Sequence, residues 1–79
     1  MREIEFKMER KELLEVVRKD EVFPITEYEL PDSWYYVLGS AYAMSANFPA
    51  KDRIMAGEGK VLEVKDTPKG YFVTVEVDG

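Results

Sequence analysis

Ser33 to Ala50, SWYYVLGSAYAMSANFPA, holds no charged residue over 18 positions, in a chain where charged residues make up 34% of the total. A stretch that carries so much uncharged, aromatic surface has to be covered by the rest of the fold or by something outside it. Pro31, Asp32 and Ser33 resemble a helix start, with Asp32 or Ser33 capping the first free amides, and Pro49 would end the helix. Helical spacing then sets Trp34, Leu38, Ala41 and Ser45 on one stripe, with Val37 and Met44 adjoining. Tyr35, Gly39, Tyr42 and Ala46 form a second stripe. A strand over Trp34 to Leu38 is the rival reading, because those residue types favour sheets. The small residues from Gly39 to Ala46 pack poorly as a strand, so the spacing favours a helix.

The flanking segments suggest what could cover it. Ile4, Phe6 and Met8 alternate with Glu3, Glu5 and Lys7, the period of a half-buried strand. From Glu9 to Lys19 the pattern changes: Leu13, Val16 and Val17 share a face, and charges occupy the rest, which predicts an amphipathic helix. Its acids lie early and Arg18 and Lys19 late, as the helix dipole prefers. Val22 to Leu30 reads as a short edge strand or an extended connection, since Pro24 excludes a helix. Lys60–Lys65 and Tyr71–Val77 are strands, with Pro68 suited to the second position of a turn and Gly70 to the fourth. A loop over 66–69 pairs Val64 with Tyr71 and Leu62 with Val73 on one inward face. The sum is an α+β fold, one domain over 1–79. It has an N-terminal strand, two helices and a C-terminal antiparallel β-hairpin, in one sheet with the helices on one face.

Composition narrows the function classes. With no cysteine and no histidine, a disulfide framework, the usual structural zinc site and the Ser-His-Asp and Cys-His nucleophile schemes are all excluded. The net charge is −5, and no Lys or Arg occurs from Asp20 to Ala50. Nucleic acids and anionic membranes draw affinity from cationic side chains, so neither is an expected partner. The densely charged stretch from Met1 to Lys19 lacks the apolar run of a signal peptide, which gives a cytoplasmic expectation.

Two motif likenesses fail on inspection. Ala56-Gly57-Glu58-Gly59-Lys60 lacks the earlier glycine and the following Ser or Thr of a phosphate-binding loop, having Ile54 and Val61 there. Lys69 to Val75 resembles part of the signature of RNA-recognition modules, but Tyr71 and Phe72 are adjacent and so point to opposite faces. Sixteen acids leave carboxylate chemistry open without singling out a pair, and no spacing marks a metal or cofactor site.

The leading functional expectation is a protein–protein interaction or accessory module that binds a partner or self-associates through segment 33–50. Tyr, Trp and Met are enriched where proteins meet. The alternative is a small-ligand-binding or catalytic pocket, and an enzyme is the less favoured reading. The residues carrying either are Trp34, Tyr35, Tyr36, Tyr42 and Phe48.

Overall fold

The computed structural model describes residues 2–78. They form a closed antiparallel barrel of six strands. The strands are β1 (Arg2–Met8), β2 (Val22–Glu29), β3 (Trp34–Leu38), β4 (Ala43–Ser45), β5 (Glu58–Thr67) and β6 (Gly70–Val77). The order around the barrel is β1-β4-β3-β2-β5-β6, with β6 closing on β1. β2, β3 and β4 form a meander, and β5 returns beside β2 through the 46–57 connection, the arrangement of a Greek key. Closure leaves the sheet without a continuous free edge.

The expected α+β fold with two helices is therefore corrected to an all-β barrel. Only two short 3₁₀ turns are present among the described residues, Lys11–Glu15 and Ala50–Asp52. In the first helix expectation, 9–19, Arg10 occupies the N-cap without a side-chain cap bond. Eleven uncapped residues make a marginal helix on their own. Tertiary packing instead buries Val17 and leaves Val16 exposed. Leu13 and Leu14 pack against the core beside Val17.

The second helix expectation fails for a different reason. Trp34 to Leu38 follows its sheet preference and pairs with β2 along Ile25↔Leu38, Glu27↔Tyr36 and Glu29↔Trp34. The small residues after it make the turn into β4 rather than a helix face. Gly39 has φ +58° and Ala41 φ +62°, a left-handed backbone that ends a strand and is tolerated best by glycine. A Cβ on Gly39 would also meet the Tyr42 ring.

β2 accommodates Pro24 because its two neighbours share its length. Val22, Phe23 and Pro24 pair with β5, and Ile25 to Glu29 pair with β3. The missing N–H of Pro24 falls at this handover, while its carbonyl accepts from Gly39 N–H at 2.8 Å.

The C-terminal hairpin forms, with a register two residues from the expected one. Val64 pairs with Val73 and Asp66 with Tyr71, and Thr67 and Gly70 flank a two-residue loop. Pro68 and Gly70 keep the turn positions read from the sequence. Thr67 Oγ1 accepts from Lys69 N–H at 3.2 Å and donates to Gly70 O at 2.7 Å, tightening the turn. A bulge between Val61 and Glu63 carries the extra residue, Leu62. The inward set is thereby changed. Val61, Val73, Val75 and Val77 are buried, Val64 and Tyr71 pack against the core edge, and Leu62 is displaced to the surface side.

Inside the barrel, Ile4, Phe6 and Met8 of β1 meet Ile25, Tyr36, Leu38 and Ala43 from the meander. Gly59 faces the same interior, where a Cβ would collide with the side chains of Val75 and Ile25. Val17 and Ile54, each from one of the long connections, complete the buried cluster.

Candidate functional site

The residues singled out in the sequence are distributed by β3 into two settings. Alternation along a strand sends neighbours to opposite faces. Tyr36 consequently enters the barrel, while Tyr35 stands outside it.

On the inner side, Tyr36 is buried to 1% exposure and its hydroxyl is fully engaged. It donates to Glu27 Oε2 at 2.8 Å and accepts from the Ile54 N–H at 2.7 Å. Glu27 sits opposite Tyr36 in the β2–β3 ladder, so the same register that inserts the ring also delivers its acceptor. Arg53, from the 46–57 connection, binds Glu27 through two bonds, Nε to Oε2 at 3.0 Å and the terminal nitrogen to Oε1 at 2.6 Å. Its guanidinium also lies 5.0 Å from the centroid of the Trp34 ring, within range of a cation–π attraction.

Electrostatics follow from this geometry. Hydrogen bonding from Arg53, then from Tyr36, holds the Glu27 carboxyl below the usual carboxylate range. Burial, more than the Glu27 carboxylate, pushes the Tyr36 phenol upward. Bonding to Glu27 raises the Arg53 guanidinium above its ordinary value. The cluster is a charged pair tied to a buried phenol, with every partner satisfied. It fastens the 46–57 connection to the meander.

On the outer side, Tyr35 pairs with Tyr28 across the β2–β3 ladder. The rings stack with centroids 5.2 Å apart and planes 12° from parallel. Tyr28 remains 46% exposed. Val37 and Met44 share that outward register, paired with each other across β3 and β4, but Val37 is buried. Met44 is 52% exposed.

Tyr42 lies apart from both groups, while Phe48 joins the inner one. Tyr42 meets Phe23 edge-on at 5.7 Å between centroids. Phe48 bridges to Trp34 through paired backbone bonds and tilts against Tyr36 at 5.9 Å. Trp34, Tyr36 and Phe48 thus meet as packing, Tyr35 lies half-buried on the outer face, and Tyr42 closes a different turn. These five do not converge on one cavity. A surface depression of about 580 Å³ is lined elsewhere, by Leu14, Val17, Leu62 and Val64 among others.

Sequence reasoning missed Glu27, Arg53 and Tyr28 as partners of these aromatics. A strand reading of 34–38 would have placed Tyr36 and Glu27, and Tyr35 and Tyr28, on shared faces. Nothing in the sequence connects Arg53 to Glu27, 26 positions earlier. Among the described residues no group of three or more Asp or Glu could hold a metal ion. No helix among them is long and apolar enough to cross a membrane.

No protein-family model matches the chain, and no curated protein or solved structure is significantly similar to it.

Proposed function

We propose that this protein is a small interaction module that engages a protein partner, or a second copy, through the outer face of β2, β3 and β4. The observation that supports the reading is the segregation of charge around the barrel. The outward positions of β2–β4 are Val22, Pro24, Thr26, Tyr28, Tyr35, Val37 and Met44, none of them charged. The outward positions of the other three strands carry Glu3, Glu5, Lys7, Glu58, Lys60, Glu63, Lys65 and Glu76. A sheet face turned to water normally carries polar residues in alternation with the buried ones. An uncharged aromatic face on one side only is the composition of a protein interface. The Tyr28–Tyr35 stack adds rigid contact area whose ordering cost is already met within the fold.

A photo-crosslinking amino acid at position 35, compared with the same group at position 3, tests this in the native source. The expected outcome is a discrete adduct from position 35 that is absent from position 3. Sedimentation at micromolar concentration identifies the self-association case. Adducts of equal yield at both positions, or none at position 35 with a monomer in sedimentation, would exclude the reading.

A further inference from the structure

Beyond β4 the outward surface continues around the barrel onto β1, β6 and β5. Met44 pairs with Lys7 of β1, Lys7 with Phe72 of β6, and Phe72 with Lys65 of β5, so one outward row runs Met44–Lys7–Phe72–Lys65. Phe72 stands as a half-exposed ridge between two depressions. One, about 280 Å³, is lined by Met44, Ala46 and Lys7 on its far side. The other, about 410 Å³, is lined by Pro68, Lys65 and Lys69. Both include Phe72 and Glu5.

Charge at this groove is opposite to that of the chain. Three lysines face a single acid, Glu5, while the whole chain carries −5. Lys7 lies 3.7 Å from Glu9 in an exposed pair. Among the described residues Lys65 and Lys69 have no carboxylate within 4 Å. Three cations around an apolar ridge match a ligand with apolar anchors and acidic neighbours. A polyanion fits worse, because a charge at every unit of a long phosphate chain would meet Glu3, Glu5, Glu63 and Glu76 at the adjoining outward positions. A peptide can confine its carboxylates to the lysines.

We propose that the groove around Phe72 docks an extended acidic peptide segment of a protein partner, whose apolar side chains fill the two depressions while its carboxylates meet Lys7, Lys65 and Lys69. The depressions lie on either side of a strand row, about 10 Å apart at the usual spacing of two strands. An extended chain covers that distance in about three residues. Side chains on one face of an extended chain recur every second residue, so the occupant has two apolar anchors two or four positions apart, flanked by Asp or Glu. This deepens the proposed interaction role and rests on it, adding a partner class and a second contact area continuous with the first through Met44.

The test uses the full chain and a phage-displayed library of random dodecapeptides. Selected peptides are expected to share two apolar residues at that spacing among acids. Their affinity, read by fluorescence anisotropy, is expected to fall about tenfold or more in the Lys65→Glu, Lys69→Glu double variant, and to weaken with salt. Both sites are exposed, so circular dichroism is expected to match that of the unaltered chain. Amide shifts on binding should centre on Phe72, Lys7 and Lys65. An empty selection, selected peptides without acids, or binding indifferent to the double reversal overturns the proposal. So does stronger competition by a ten-nucleotide oligothymidine. A dimer of the unaltered chain that the double variant dissolves assigns the groove to a second copy and overturns it too. Shifts centred on Tyr28 and Tyr35 remove the groove while leaving the interaction face in place.

Discussion

Tyr36 is the residue on which the interior and one barrel end depend together. Its ring fills the core, and its hydroxyl satisfies both the Ile54 amide and the Glu27 carboxylate. Tyr36→Phe keeps the ring and strips both bonds, leaving a buried N–H without a partner. The expected cost is about 1–3 kcal/mol, measured as a lower urea midpoint with an unchanged slope. Glu27 makes an acid-sensitive contribution. Its carboxyl titrates lower in the folded chain than in the unfolded one. The stability this supplies is complete above the unfolded value of about 4.3 and disappears as pH falls through the lower folded value. Glu27→Gln is therefore expected to lower stability at neutral pH and to flatten its fall below about pH 4.3. Chemical denaturation at a series of pH values measures both effects. A steeper acid loss in the variant would contradict the assignment.

At the scale of elements, the barrel is held unevenly. β6 pairs with β1 from Arg2↔Val77 to Met8↔Tyr71 and with β5 from Lys60↔Glu76 to Thr67↔Gly70. β4 meets β1 at Phe6↔Ser45 and Lys7↔Met44 alone, and β2 meets β5 only over Val22 to Pro24. Short ladders open at lower free energy than long ones. Amide exchange is therefore expected to be slowest in β1, β5 and β6 and to reach β4 first. Uniform protection across all six strands would show that the barrel opens only as a whole. The weak elements are those that the two long connections reinforce. The 46–57 connection is fastened by Arg53 on Glu27, and the 9–21 connection by paired bonds of Asp20 and Glu21 with Val61.

For the whole molecule, closure joins the two ends of the chain. The Arg2↔Val77 pair and its neighbours cannot form until almost the full length has been ordered. Such non-local pairing slows folding, and barrels of this kind fold in milliseconds to seconds. Stopped-flow refolding is expected to fall in that range, and removal of residues 70–79 to leave the chain unfolded by circular dichroism. The same closure creates the proposed interaction faces, since it turns β2–β4 outward on one side and Phe72 with its lysines on the next.

Local information in the chain determined the strand period of Ile4, Phe6 and Met8 and the turn chemistry of Pro68 and Gly70. It also determined the absence of every His- or Cys-dependent chemistry. These depend on side-chain alternation, fixed backbone angles and residue type, which act over a few positions. The state of 33–50 was balanced at that level, because small residues suit a helix and Trp34 to Leu38 suit a strand. Tertiary structure decided it, through a ladder to β2 that no local period encodes. It likewise decided the two-residue loop that shifts the hairpin register and the bulge at Leu62. The joining of Arg53 to Glu27, and the sorting of Tyr35 outward from Tyr36 inward, were decided there too. Each of these rests on contacts between residues distant in the chain, whose energy appears only once the barrel has closed.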